Sequence, residues 1–222
     1  MYKAFGPQRN QAPMVPTIIT LNVVIYLLWL FTASETAEAN FMTNNFLVSW
    51  SALTEGRVWV LLTAAFSHNW LWHLLLNMFV LSSFGPIVEM TLGSKRFLRF
   101  YIAASLVSSL GHAAVSAWLL GQPEMPALGA SGAISGVILL FSMLYPREKI
   151  LIFGLIPLPA LWGALAFVGL DIWGLAKQAE GGGLPIGHGA HLGGALAGVL
   201  YYVYLRSERN TRKPSQEANS FE

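Results

Sequence analysis

Gly129-Ala130-Ser131-Gly132 and, further on, Ala190-His191-Leu192-Gly193-Gly194 are the stretches on which this sequence turns. Each lies in apolar sequence that must sit at membrane depth. Each also surrounds one reactive side chain with residues small enough to let a neighbouring helix come close. A hydroxyl and an imidazole set in this way can meet across two helices, which directs attention to proteolysis within a bilayer.

The composition around these stretches is that of a membrane protein. Of 222 residues, 55% are hydrophobic and 11% charged, and the mean hydropathy is +0.54, far from an ordinary soluble domain. A net charge of +2 without a basic, aromatic patch argues against nucleic acid as a partner. Cysteine is absent, so disulfides, thiolate metal sites and cysteine nucleophiles are excluded. Met1–Pro16 is polar, carries three prolines and has no small-residue cleavage site after a short apolar core. Residues 1–13 therefore read as a cytoplasmic segment ahead of a retained first span rather than as a signal peptide.

Crossing the hydrocarbon core takes about 20 mostly apolar residues in a helix. Six segments come near that length: 14–33, 70–88, 97–120, 130–145, 150–176 and 187–205. They predict an all-α, polytopic membrane domain over 14–205, followed by a polar, disordered tail over 206–222. With both ends inside, Lys3, Arg9, Lys95, Arg96, Arg99, Arg147, Lys149, Arg206, Arg209, Arg212 and Lys213 share one side, and only Arg57 and Lys177 lie opposite. That bias favours an N-in, C-in arrangement of six spans. The stretch 34–69, with Phe41, Phe46, Trp50 and Trp59, reads as structure lying in the outer interface. The fourth span is short, with Pro126 and Gly129 before it and Pro146 closing it, so Ser131 should start a helix below the membrane surface in a protein-lined cavity. The prolines Pro157 and Pro159, with Phe153 and Trp162, suggest that the fifth span is a mobile gate.

Gly-x-Ser-Gly on its own reads better as small-residue packing. His191 shifts that balance, because ionisable groups within spans are costly and tend to be functional. It lies one turn from a Gly194–Gly198 face that permits close helix contact. The helix start at Ser131, flanked by Gly129 and Gly132, also offers free N–H groups to a developing oxyanion. On the second span, His73 and Asn77 stand at i and i+4 and converge on one point. They suit either an oxyanion hole or a polar pair that holds helices together.

Taken together, Gly-x-Ser-Gly at Ser131, Ala-His-x-x-Gly at His191 and His-x-x-x-Asn at His73 and Asn77 resemble the rhomboid intramembrane serine proteases, in order and in spacing. The resemblance covers the chain from about Arg57 to Leu205. It implies a six-helix rhomboid-like bundle with an interfacial first loop, Ser131 as nucleophile, His191 as general base, and an oxyanion hole made by His73, Asn77 and the Ser131 amide. Gly129, Gly132, Gly194 and Gly198 would be supporting packing positions. It implies no cofactor and no metal, with transmembrane protein substrates and the lipid bilayer as partners. The family uses a dyad, which leaves Asp171 to pair with a donor on a neighbouring helix. Relatives often stack an aromatic, four residues after the serine, on the histidine. That position is Ser135 here, which leaves the imidazole to be positioned differently or by another ring. The first loop reads Arg57-Val58-Trp59 where many relatives have Trp-Arg adjacent. Glu89 resembles a structural glutamate that ties a neighbouring loop, His68 is expected to line the water cavity, and His112 to be a packing contact.

Two competing readings stand beside the protease. One is a transporter or metal protein using the five histidines with Glu89 and Asp171, although there is no His-Glu-x-x-His and no evident cluster of three histidines. The other is a non-catalytic relative that binds transmembrane helices; such proteins usually lack the serine or the histidine, and both are kept here. By analogy with compact six-span forms, the expected location is a prokaryotic cytoplasmic (inner) membrane.

Overall fold

A computed structural model describes residues 12–32, 41–152 and 155–212. Lys3 and Arg9, residues 33–40 of the first loop, Phe153 and the tail from Lys213 lie outside the described residues. The first apolar segment forms α1 (Met14–Phe31), whose N-terminus has no side-chain cap of its own. Buried Glu89 serves it instead, accepting the N–H groups of Met14 at 2.9 Å and Val15 at 3.0 Å, together with the Ser94 hydroxyl at 2.7 Å. A carboxylate at that end satisfies orphan donors and complements the helix dipole. Glu89 thus ties both the turn at Ser94 and the start of α1.

The first loop is not open chain. It folds into the short helices α2 (Phe41–Phe46), α3 (Trp50–Thr54) and α4 (Val60–Thr63), the last running into a 3-10 turn at Ala64–Phe66. Val48, Ala52, Val60 and Ala64 make a small core of their own, while Phe41 and Trp59 stay exposed. Short helices with a buried stripe and outward aromatics suit an interface.

α5 (Leu71–Leu92) continues through Pro86, its last turns held inward by buried Val88, Glu89 and Leu92. α6 (Ser94–Trp118) follows a turn at Gly93. α7 (Ser131–Leu144) has only 14 residues, about 21 Å at 1.5 Å per residue, against a hydrocarbon core of about 30 Å.

The segment 150–176 departs from the expected single span. Its first part is an antiparallel hairpin of β1 (Lys149–Ile152) and β2 (Ile156–Pro159), with Lys149 opposite Pro159 and Leu151 opposite Pro157. Pro157 and Pro159 lack the N–H that a helix interior needs, and they are tolerated in a two-stranded ribbon because each strand is an edge. The chain is therefore not purely helical. Both prolines precede α8 (Ala160–Ala179) rather than interrupting it, so the proposed gate loses its proline basis.

α9 (His188–Arg212) also outruns its expected end. Residues 206–212, expected in the disordered tail, are helical, and Arg96 of α6 pairs with Glu208 at 3.1 Å. Among the described residues, α1, α5, α6 and α8 are long and apolar enough to cross a membrane, and α7 is a shorter apolar helix. α9 has the length, but its glycines, histidines and tyrosines make it less apolar. The helices assemble into a bundle in which α9 is wedged between α6 and α7, close enough that glycines on all three meet backbone rather than side chains. Below that contact, Leu81, Phe97, Tyr101, Val137 and Leu140 fill the core.

Candidate active site

Ser131 opens α7, whose N-cap residue Ala130 offers no side-chain hydrogen bond. The first N–H groups of this helix consequently stand beside the serine hydroxyl with no side-chain cap. The preceding segment is pinned to the first loop. Val48 and Ala127 exchange backbone hydrogen bonds at 2.9 and 2.8 Å, and the Gly129 N–H donates to the Ala64 carbonyl at 2.9 Å. Gly129 has φ +121, and a Cβ there would stand 2.6 Å from His73 Cε1. Only glycine supports both that backbone and that ring.

His191 reaches Ser131 from α9, with Nε2 lying 2.9 Å from the serine Oγ. The approach depends on glycines, since a Cβ on Gly194 would overlap the Gly132 carbonyl and one on Gly198 would lie 2.5 Å from the Gly136 carbonyl. The other ring nitrogen, Nδ1, lies 3.0 Å from Asp171 Oδ1 of α8, and the same oxygen is 2.6 Å from His188 Nδ1. Asp171 is buried. A carboxylate oxygen placed there can accept an N–H from each ring, which is the tautomer in which His191 Nε2 presents a lone pair to the serine hydroxyl. The Phe167 ring lies 5.6 Å from the His191 ring at 32°, which supplies from α8 the aromatic missing at Ser135. Ser135 instead donates to the Ser131 carbonyl at 2.8 Å.

His73 and Asn77 line the same cavity as Ser131 and His191. The Asn77 amide donates one hydrogen bond to the His73 carbonyl at 2.8 Å, leaving its second N–H to point elsewhere. The cavity holds about 790 Å³, with Trp70 and Phe167 also in its wall. His68 is not in that wall: it is fully buried behind His73, edge-on to its ring at 4.8 Å. Burial, followed by the neighbouring His73, pushes its pKa down to about 3. The expectation that His68 lines the water cavity is therefore corrected. His112 bonds the Met125 carbonyl at 3.0 Å and so braces the segment that leads into α7.

Asp171 meets partners on the neighbouring helix α9, as expected, whereas its contact with His191 and the places of His188 and Phe167 were not assigned by the sequence. Asp171, His188 and His191 form a cluster of three possible metal donors, a carboxylate and two histidines, with ligating atoms within 4.8 Å of one another. The hydrogen bonds among these atoms account for their arrangement without an ion. The sequence signal available was the spacing of Phe167, Asp171 and Gly174, which puts an aromatic, a carboxylate and a gap on one face of an apolar helix.

Residues 55–208 match the Rhomboid domain. Over 204 residues the chain is 30% identical to RHOMBOID-like protein 12, mitochondrial, of Arabidopsis thaliana, covering 86% of this chain and 58% of that protein. It is 39% identical over 147 residues to Rhomboid protein 1, mitochondrial, of Saccharomyces cerevisiae, covering 64% and 40%. With the human presenilin-associated rhomboid-like protein, mitochondrial, it shares 29% identity over 196 residues, covering 86% and 48%. The chain thus spans 40 to 58% of the length of these relatives. All three are organellar, which overturns the expectation of a prokaryotic inner membrane. With the matched domain covering most of its length, and the motifs at Ser131, His191 and His73 gathered around one cavity, the chain belongs to the rhomboid family.

Proposed function

We propose that this protein is an intramembrane serine endopeptidase that cleaves transmembrane segments of other membrane proteins, in an organellar membrane. The observation that carries this reading is the 2.9 Å approach of His191 Nε2 to Ser131 Oγ at the wall of a cavity that also holds His73 and Asn77. In the proposed arrangement α1, α5, α6, α7, α8 and α9 are six spans, with both chain ends on the inner, positively charged side.

A substrate helix unwinds near its outer end and enters the cavity as extended chain. His191 Nε2 takes the Ser131 proton while Oγ attacks the scissile carbonyl. His73, the free N–H of Asn77 and the Ser131 amide receive the oxyanion; removing one such donor typically costs about 3–4 kcal/mol of transition-state stabilisation. His191 then hands its proton to the leaving amine, and water hydrolyses the acyl-enzyme by the same steps in reverse roles.

Fluorophosphonate labelling of the detergent-purified protein tests this, beside cleavage of model transmembrane helices. Wild type should label and cleave, and Ser131→Ala and His191→Ala should do neither while folding normally. A well-folded wild type that neither labels nor cleaves, or a Ser131→Ala variant that still cleaves, would overturn the assignment.

A further inference from the structure

Building on the proposed roles of Ser131 and His191, we propose that Asp171 is the positioning residue of a Ser131–His191–Asp171 triad. It holds His191 in the one tautomer that can accept the serine proton, and His188 holds it in turn. Asp171 Oδ1 lies within hydrogen-bond reach of the Nδ1 atoms of both His191 and His188, at 3.0 and 2.6 Å. A neutral imidazole carries a single N–H. Once that proton sits on Nδ1 and faces Asp171, Nε2 is left as the acceptor 2.9 Å from Ser131 Oγ. The opposite tautomer would set N–H against O–H and stop proton transfer.

The remainder of α8 is built around this contact. Phe167, Asp171 and Gly174 share a face. Phe167 lies tilted against the His191 ring, and a Cβ on Gly174 would overlap the His188 ring. One helix therefore supplies ring contact, counter-charge and clearance to the two histidines of α9. A plain structural anchor would need less. A buried carboxylate in a span requires a partner, and His188, the shorter contact, already provides one. It would not require the same oxygen to reach the ring nitrogen of His191 opposite the serine, nor Phe167 to lie on that ring.

The proton accounting closes without moving the Asp171 charge. The Ser131 hydroxyl proton passes to His191 Nε2 and from there to the leaving amine nitrogen. The Nδ1 proton remains on His191 throughout. Asp171 stays ionised and acts as counter-ion to the transient imidazolium.

The test uses the full chain in nanodiscs, with fluorophosphonate and a model transmembrane substrate as probes. Asp171→Asn keeps an oxygen acceptor but loses the charge, Asp171→Ala loses both, and Asp171→Glu keeps both. Rates are corrected for folded fraction. The expected kcat loss is on the order of 10²-fold or more for Asn, greater for Ala and partly rescued by Glu, with KM nearly constant. Because the variants could fold poorly, ¹⁵N-histidine NMR of the wild type supplies a second measurement, the His191 signal being identified by its loss in His191→Gln. It should report Nδ1–H with a bare Nε2, and Asp171→Ala should lose that preference. A wild-type His191 protonated on Nε2, or activity in the Asp171 variants falling only with folded fraction, overturns the role of Asp171 and leaves the Ser131 and His191 assignment standing. An unlabelled wild type overturns both.

Discussion

Gly194→Ala should abolish most activity without removing any polar group. A Cβ at Gly194 would overlap the carbonyl of Gly132, and because that neighbour is backbone of α7 it cannot swing aside. The helices must part. At Gly136 the same change is milder, since its Cβ would lie 2.8 Å from the Gly194 carbonyl, 0.6 Å inside the 3.4 Å at which ordinary contact begins. The Ser131–His191 hydrogen bond starts at 2.9 Å, so an opening of that size takes it to the edge of useful geometry, and the larger one at Gly194 breaks it. Misplacement by about 1 Å can cost about 10²-fold in rate, equivalent to about 2.7 kcal/mol of barrier, with overpacking adding about 1–3 kcal/mol of destabilisation. The expected order of fluorophosphonate labelling rates, corrected for folded fraction by thermal unfolding, is therefore Gly194→Ala far below Gly136→Ala, itself below wild type. Gly169→Ala is the control, because a Cβ there meets nothing within 4 Å. A well-folded Gly194→Ala that labels at the wild-type rate, or a Gly169→Ala that loses as much, would refute the geometric reasoning.

Two further outcomes are expected. His68 titrates near 3 in the folded protein and near 6.5 when unfolded, so the unfolded chain binds the extra proton and stability falls as pH drops from 6.5 toward 3. His68→Leu should flatten the decline of Tm over pH 6.5 to 4 and leave Tm at pH 8 nearly unchanged; identical slopes in the two proteins would count against it. Glu89→Gln replaces a buried carboxylate that accepts from Met14, Val15 and Ser94. It should lower stability by about 1–3 kcal/mol while the labelling rate of the folded fraction stays within about twofold; an unchanged Tm, or a rate lost at full folding, would contradict that.

Hydropathy, charge placement and short motifs were legible in the amino-acid order because each is a property of one continuous segment. The apolar runs beginning near Met14, Trp70 and Phe97 coincide with α1, α5 and α6, and the i, i+4 spacing of His73 and Asn77 puts both on one helix face whatever surrounds them. Ser131 and His191 stood out for the same reason, each being a polar group set among small residues in an apolar run. The hairpin at Lys149–Pro159 did not, since a short apolar run reads alike as buried helix or strand until its partner is known. Nor did the helical continuation to Arg212, which is stabilised by Arg96 over a hundred positions earlier in the chain.

Asp171 shows where the boundary lies. The amino-acid order alone sets a carboxylate within an apolar helix, where it needs a donor. Which donor, and at which ring nitrogen, depended on the rotation and depth of α8 against α9, and on the clearance left by Gly174. A hydrogen bond weakens steeply within a few tenths of an ångström, whereas the pattern of a single helix is indifferent to its neighbour's rotation. That Asp171 meets the same imidazole that reaches Ser131 is a property of the packed helices and of no single segment.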